Sequence, residues 1–231
     1  MSNILSLSLG TIHKLMKDEN GNRDELVSII KNSNIKCIRG VEITYTDNLK
    51  LSEENISYLQ SLDYVSIHAP EFEEDNKIIL DKINVMYYKV NAKTIVFHPN
   101  YMPSTNILNE YKFNISIENL DPVTNFDIYN LEKKVNESTA FNVCLDVNHA
   151  YRCSSLETTR IITKMKDKIF QIHLSFPTHN QEGHGSLKLA TKEFIESIYS
   201  IKSLNVPIVI EEDLSSIEEV RKEINYIEKI I

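Results

Sequence analysis

The sequence predicts a (βα)8 barrel in a single domain, and three observations predict it. Short apolar runs of β type alternate with amphipathic, helix-like stretches along the whole chain. Eight such runs occur in 231 residues, and the resulting unit of about 29 residues is close to the roughly 31 of a typical barrel. Six of the runs end at a histidine or a carboxylate. An open sheet would gather ligands from two or three strands at a switch point, so six in succession favour the barrel.

The elements follow one another in the order that a barrel requires. The predicted strands cover 3–8, 36–43, 63–68, 94–98, 113–118, 142–146, 168–174 and 206–211. Helix-like periodicity covers 23–31, 52–62, 77–90, 156–165, 192–201 and 215–231. Ser52 and Ser215 stand where two of these helices begin, as capping residues ahead of apolar periods. No linker, low-complexity tract or change of composition divides the chain, so we expect 1–231 to be one domain.

Composition and charge argue against several classes of protein. Hydrophobic residues make up 42% and charged residues 25% of the chain, as in ordinary globular domains. The net charge is −8, so no overall basic field attracts nucleic acid or anionic lipid. Three cysteines do not make a disulfide framework. The opening Met-Ser-Asn-Ile lacks a basic signal region, and no apolar run approaches the ~18 residues of a membrane span. We therefore expect a cytoplasmic protein with no membrane partner.

Strand parity separates two faces of the predicted sheet, because residues two apart on a strand point to the same side. Counting back from the polar strand ends places these residues inside the barrel: Ser66, Val96, Ser116, Cys144, Gln171 and Val209. The alternate residues are large and aliphatic, which suits packing against helices. We therefore expect a small or polar interior beneath the mouth.

The polar residues at the strand ends predict a metal centre at the mouth of the barrel. Imidazole nitrogens and carboxylate oxygens are zinc ligands, and a catalytic zinc keeps one position open for water. The predicted metal ligands are His68, His98, Glu118, Asp146, His149, His173, His179 and Glu211.

Glu118 stands in the middle of this series and is the expected bridge, because two adjacent metals need a shared carboxylate. The two histidines before it would complete the first metal, and the three later strand-end residues would hold the second. His149 and His179 would serve a third. The predicted catalytic carboxylates are Glu118, Asp146 and Glu211. The expected cofactor is two or three zinc ions, or alternatively one Mn²⁺ or Mg²⁺.

Other polar residues near the mouth have individual predictions. Glu42 ends the second strand either as a partner of a metal ligand or as a solvated strand end, and the sequence leaves both readings open. Glu212 has the wrong parity for the mouth, so Glu211 is favoured over it. His13 is solitary in an N-terminal loop and is not expected to be a ligand, and Asp213 is expected to cap the last helix.

Five segments carry a resemblance to a known family. They are His68-Ala-Pro, Val96-Phe-His-Pro, Leu145-Asp-Val-Asn-His-Ala, His173-Leu with His179 and Gly183-His-Gly, and Pro207-Ile-Val-Ile-Glu. Together they resemble the xylose isomerase-like TIM-barrel superfamily and, within it, the endonuclease IV group (AP endonuclease family 2). The ordered set spans the third to the eighth strand and is more specific than any one of its motifs.

The resemblance implies a trinuclear zinc site and a bridging hydroxide that attacks a phosphodiester 5′ to an abasic sugar. By motif match Glu118 would bridge the metals, and His149 and His179 would hold the third ion. The implied protein is a metal-dependent hydrolase of DNA repair, and its implied partner is DNA with an abasic or damaged site.

The chain departs from the group's pattern at several positions. Pro177 stands where the group has an aspartate ligand of the third metal, so we expect that site to be weaker unless Glu182 or water substitutes. His184 replaces the glutamate between the two loop glycines. The acidic run 71–75 follows the third strand and would repel a phosphate backbone. The residues after Glu118 read Asn-Leu-Asp, nearer to sugar epimerases of the same superfamily.

Three functions therefore stay open. The first is a zinc phosphodiesterase acting on abasic or damaged DNA, which the additional histidines favour because a one-metal isomerase does not need them. The second is a sugar or sugar phosphate isomerase or epimerase, in which the four strand-end residues from Glu118 onwards hold one ion. Two glutamates near that ion would then exchange a proton beside a carbonyl. The third is a barrel that binds metal or ligand without turnover.

Overall fold

A computed structural model describes residues 3–16, 22–178 and 183–231 of the chain. His179, one of the predicted metal ligands, lies outside the described residues. The strands are β1 Leu5–Ser8, β2 Ile38–Thr44, β3 Tyr64–His68, β4 Thr94–Phe97, β5 Ile115–Glu118, β6 Phe141–Asp146, β7 Ile169–Leu174, β8 Phe176–Pro177, β9 His184–Gly185 and β10 Ile208–Ile210.

Eight of these strands form a closed parallel barrel in the order β1-β10-β7-β6-β5-β4-β3-β2. Each of the eight predicted apolar runs overlaps one of the barrel strands, with β2 and β6 each extending one residue beyond its run, so the predicted (βα)8 barrel is confirmed. The two remaining strands, β8 and β9, pair antiparallel in a small separate sheet after β7. The sequence analysis did not predict this pair, because strands of two residues are too short to show a period.

The helices are α1 Asp24–Ser33, α2 Glu53–Gln60, α3 Lys77–Lys89, α4 Thr105–Leu108, α5 Ile128–Val135, α6 Val147–Cys153, α7 Glu157–Met165, α8 Lys192–Ser197 and α9 Ile217–Ile230. The sequence predicted six of them and did not name α4, α5 and α6. Among the described residues, no helix combines the length and the apolar character that crossing a bilayer requires.

Side-chain caps mark where helices begin. The Ser52 hydroxyl accepts a hydrogen bond from the Asn55 N–H at 3.3 Å and caps α2, as predicted. The cap of α9 is Ser216, one residue later than predicted. The prediction that Asp213 caps this helix is wrong, because α9 begins at Ile217, too far along the chain. Asp213 instead donates its backbone N–H to the His184 carbonyl at 2.8 Å.

The barrel interior is polar and closely packed. Gln171 and Cys144 are fully buried within it, and the hydroxyls of Thr94 and Ser116 lie 2.8 Å apart. Gly40 of β2 faces the same interior, where a Cβ would lie 2.1 Å from the Ser6 hydroxyl oxygen. The alternate strand residues are buried aliphatic side chains of the main hydrophobic core. The parity of the sequence therefore places small and polar groups directly beneath the mouth.

Candidate metal centre

The carboxyl ends of the barrel strands bring six predicted ligands together: His68, His98, Glu118, Asp146, His173 and Glu211. The ligand atoms of these six residues form two groups, within each of which all atoms lie within 4.8 Å of one another, and a third such group joins Glu118 and His173 to the buried Cys144. The first group is His68, His98 and Glu118. The second contains the last four residues of the six, beginning with Glu118. Glu118 belongs to both groups and is therefore the candidate bridge.

Glu118 lies at the centre of a ring of imidazoles and is only 2% exposed. Its Oε2 is 3.3 Å from His68 Nε2, 3.4 Å from His98 Nε2 and 3.5 Å from His173 Nδ1. Its Oε1 is 3.5 Å from His149 Nδ1. The Nδ1 of His68 lies 3.0 Å from the Ala69 carbonyl, which only accepts hydrogen bonds. Nδ1 therefore carries a hydrogen, and Nε2, which faces Glu118, would become a ligand atom once it loses its proton to a metal.

Asp146 ends β6 and also begins α6, and this boundary orients its carboxylate. One oxygen, Oδ1, accepts the His149 backbone N–H at 2.7 Å and caps the helix. The Asn119 side chain accepts from the Asp146 N–H and donates to the Asp146 carbonyl, both at 2.8 Å. The other oxygen, Oδ2, is buried and has no hydrogen-bond partner among the described residues. A buried carboxylate oxygen without a partner is costly, and a cation in the centre would remove that cost.

His173 presents one nitrogen to the centre and the other to Glu42. Its Nε2 lies 2.8 Å from Gln171 Nε2 and 3.1 Å from Glu42 Oε2, and a hydrogen on Nε2 is donated to the carboxylate, which only accepts. Its Nδ1 lies 3.0 Å from Glu211 Oε2 and has no hydrogen bond of acceptable geometry. The Nδ1 lone pair is therefore available to a metal, in the carboxylate–histidine–metal arrangement of many metalloenzymes.

Glu42 is a partner of a candidate metal ligand, and the alternative of a solvated strand end is wrong, because the residue is completely buried. Its Oε2 accepts hydrogen bonds from Ser66 Oγ and Gln171 Nε2, each at 2.9 Å. With His173 Nε2, these groups make three hydrogen-bond donors to Glu42 Oε2. A carboxylate buried inside the barrel needs such donors, because its charge is otherwise costly to bury.

His149 does not belong to either ligand group of the described residues. Its Nδ1 lies 3.0 Å from the Asn119 carbonyl, and its ring lies 6.3 Å from the ring of His184. Pro177 of β8 pairs with His184 of β9, in the position where the resembling group has a metal-ligating aspartate. The described residues thus contain candidate ligand groups that leave His149 out, and the number of metal ions stays a prediction.

Mutual charge compensation sets the pKa values of the centre. Burial lowers the pKa of His68, but the hydrogen bond and charge of Glu118, with other carboxylates, overcome it and raise this pKa to about 9. Burial raises the pKa of Glu211, but the charge of His173 outweighs it and lowers this pKa to about 2. Burial and the neighbouring carboxylates raise the pKa of Asp146. Protonated imidazoles therefore hold the positive charge that a metal would supply.

The residues fit two divalent cations. The first ligand group offers two imidazole nitrogens and a carboxylate, and the second offers one imidazole and three carboxylates. Both donor types suit zinc and the neighbouring divalent metals. The unpartnered atoms, Asp146 Oδ2 and His173 Nδ1, belong to the second group.

The sequence analysis missed the role of one residue beside the site, Asn119, and correctly placed another, Glu212, away from it. The role of Asn119 was missed, and its signal is an amide residue directly after the strand-end Glu118. Glu212 is buried away from the centre, where its carboxylate accepts the Leu187 N–H at 3.4 Å, as its parity predicted. Burial and the neighbouring Glu223 raise the pKa of Glu212 to about 10.

Comparisons with known proteins agree with this architecture. No protein-family model matches the chain, and no curated protein matches it. A D-tagatose 3-epimerase-like protein is similar in structure, with a TM-score of 0.70 and 16% identity over 98% of this chain and 96% of that one. A xylose isomerase domain protein from Planctomyces limnophilus matches with a TM-score of 0.61 and 9% identity, over 99% and 95% of the two chains. SacUVDE matches with a TM-score of 0.54 and 12% identity over 99% of both chains. At these identities the likeness is one of fold: the chain is a TIM barrel similar in structure to xylose isomerase-like proteins, the superfamily that its motifs resemble.

Proposed function

We propose that the protein is a two-metal phosphodiester hydrolase that binds zinc. The observation that carries the proposal is that Glu118 is shared by two ligand groups. A one-metal enzyme would need only the second group, so His68 and His98 would have no role in it. DNA with an abasic or damaged site is the substrate that the resemblance to endonuclease IV favours.

The residues of the centre have separate tasks in this proposal. Two bound metal ions supply Lewis acidity, lower the pKa of water and neutralise charge on a phosphoryl group. Glu118 holds the two sites together. Because Glu118 is almost completely buried, water can reach it only through the open mouth of the barrel. Glu42 keeps a hydrogen on His173 Nε2, and Asn119 fixes the backbone of Asp146.

The acidic segment 71–75 affects the choice of substrate. Glu71, Glu73 and Glu74 are exposed in the loop after β3, and the whole chain carries a net charge of −8. Such a loop repels a long phosphate backbone on its side of the mouth. Cleavage of a phosphodiester bond is therefore better supported than duplex DNA as the substrate. The assay has to test phosphodiester cleavage with and without DNA.

A sugar isomerase or epimerase is the second candidate, and one observation favours it. The second ligand group is complete without the first, and in it Glu118 and Glu211 flank His173 Nδ1 at 3.5 and 3.0 Å. Two carboxylates beside one ion are the arrangement that proton exchange next to a carbonyl needs. The D-tagatose 3-epimerase-like structure with the same fold supports this alternative.

Elemental analysis of the purified protein, paired with activity assays, tests the proposal. The substrates are an abasic-site duplex and bis(p-nitrophenyl) phosphate, which lacks both sugar and DNA. We expect two zinc ions per chain and zinc-dependent hydrolysis of at least one of the two diesters. One manganese or magnesium ion per chain, with epimerisation of a ketose and no hydrolysis, would establish the second candidate instead. Bound metal without hydrolysis or epimerisation would support the third function, a barrel that binds metal or ligand without turnover.

A further inference from the structure

A cavity of about 180 Å³ opens beside the metal centre, on the side of β1 and β10. Its wall includes Glu211 of the second ligand group and His184 of β9. The other lining residues are Ser8, Gly10, Thr11, His13, Glu212 and Asp213. The cavity therefore adjoins the position where a substrate would meet the metals.

Buried polar residues hold the imidazole of His184 in place. Its Nδ1 lies 3.0 Å from the hydroxyl of Ser175, which also accepts a hydrogen bond from Asn148 Nδ2 at 2.9 Å. Asn148 Oδ1 in turn accepts from Arg152 Nε at 2.8 Å. Ser175 and Asn148 are almost completely buried, whereas His184 is half-buried. A buried support beneath a partly exposed polar side chain is the construction of a binding site.

The contact with Ser175 occupies Nδ1 of His184 and leaves Nε2 for a ligand. His13 has a similar arrangement, because its Nδ1 lies 2.6 Å from the Gly10 carbonyl. Asp213 contributes a carboxylate to the same cavity and pairs with Lys14 at 3.4 Å. The wall thus offers imidazoles, hydroxyls and carboxylates, without an excess of positive charge that would select an anion.

We propose that this cavity is a subsite for a sugar ring of the substrate and that His184 hydrogen-bonds one of its hydroxyl groups. Hydroxyl groups both donate and accept hydrogen bonds, which matches a wall of mixed donors and acceptors. A cavity of about 180 Å³ has room for several water molecules, and hence for a single sugar ring. The proposal deepens the proposed function and rests on it, because both candidate substrates place a sugar beside the reacting group.

Substitution of His184 and of its support tests the subsite. In His184→Ala and Ser175→Ala, with metals bound, we expect kcat/KM for an abasic-site oligonucleotide to fall about 3- to 10-fold, chiefly through KM, as for one lost hydrogen bond. The kcat/KM for bis(p-nitrophenyl) phosphate should stay within about twofold, because this substrate has no sugar. Ser57→Ala is the matched control, since Ser57 bonds only its own helix at Glu53, on the exposed side of α2.

An equal loss on both diesters would overturn the proposal, because His184 would then act on the metal centre itself. No loss on either diester would also overturn it. A second measurement does not depend on hydrolysis: the ¹H–¹³C resonance of His184 Cε1, assigned by comparison with His184→Gln, is followed while 2-deoxy-D-ribose is added. A saturable shift supports the subsite even where neither diester is hydrolysed and the proposed function fails. An unmoved resonance rejects the subsite even where hydrolysis succeeds.

Discussion

Glu118 has the largest consequence of any single residue in this chain. Three imidazoles lie within 3.5 Å of one of its carboxylate oxygens, although they come from three different strands. A carboxylate so surrounded either neutralises protonated imidazoles or bridges metal ions, and the centre contains the groups for both. The metal-free centre with protonated imidazoles and the metal-bound centre interconvert by exchange of protons for metal ions. Single substitutions test which groups each form requires.

Glu118→Gln should lower the metal content from two ions to one or none and reduce hydrolysis by more than about 100-fold. The amide keeps the shape of the side chain but loses the charge that two cations share. Elemental analysis and initial rates measure the effect, while circular dichroism checks that the barrel is intact. Glu73→Gln, on an exposed loop position, is the control. Full activity with Glu118→Gln would exclude the bridging role.

Glu42→Gln should weaken metal binding about 10- to 100-fold without removing a ligand. The reason is that Glu42 holds the hydrogen of His173 on Nε2, at 3.1 Å, and so raises the basicity of Nδ1. Competition with a chelating dye measures the affinity, and ¹⁵N shifts of His173 report its tautomer. If the affinity and the tautomer are both unchanged, Glu42 is a buried structural residue only.

Metal affinity should increase with pH up to about 9. The pKa of His68 in the metal-free protein is raised to about 9, so at pH 7 this ligand is protonated and the metal has to displace a proton. Lowering the pH therefore opposes binding, by up to about tenfold per pH unit for each displaced proton, and the contribution of His68 should flatten above pH 9. Titrations in buffers of different ionisation enthalpy measure the released proton. A metal affinity that does not change between pH 7 and pH 9 would contradict this coupling.

At the scale of the elements, short connections at the strand ends decide where the ligands lie. β6 passes into α6 without a loop, and Asp146 serves both as the end of the strand and as the cap of the helix. One carboxylate oxygen is used by the helix, so the other is directed towards the centre. The element boundary thus orients a metal ligand.

The close approach of β1 and β2 inside the barrel gives a prediction about stability. Gly40→Ala should destabilise the protein by about 1–3 kcal/mol, as overpacking does, because its Cβ would lie 2.1 Å from Ser6 Oγ and 2.8 Å from the Tyr64 carbonyl oxygen. Gly10→Ala is the matched control, since its closest neighbour would lie at 3.4 Å. Thermal unfolding compares the two, and equal melting temperatures would show that the interior adjusts freely.

At the scale of the whole molecule, the centre concentrates charge that only cations or protons compensate. Three carboxylates of the second ligand group and the completely buried Glu42 surround His173 at the top of the barrel. Zinc binds the folded arrangement and not the separated residues of an unfolded chain, so metal binding and folding are linked.

Removal of the metal should therefore lower the melting temperature. With free metal at about 100 times its Kd, the stabilisation is about 2.7 kcal/mol, which corresponds to roughly 5–11 °C for a domain of this size. Differential scanning calorimetry with and without a chelator measures the shift. Glu118→Gln should show a smaller shift, and an unchanged melting temperature of the native sequence would mean that the centre binds no metal in solution.

Periodicity and parity were sufficient to predict the barrel and to bring six of the predicted ligands to one end of it. The predictions failed where a contact joins distant positions of the chain. Asp213 was assigned as a cap from sequence proximity, yet its partner is the carbonyl of His184, nearly thirty residues earlier. The substrate was not predictable in the same way, because loop residues rather than strand ends surround the mouth.

The amino-acid pattern was enough to predict a parallel barrel with candidate nitrogen and oxygen ligands at one rim, because six polar strand ends in succession favour a barrel over an open sheet and the carboxyl ends of its strands meet at one end. Only the tertiary structure decided how those ligands are grouped and supported. The sharing of Glu118, the burial of Glu42 against His173 and the support of His184 by Ser175 each depend on distances of about 3 Å. Such distances join side chains from separate strands and loops, and no local pattern in the sequence encodes them.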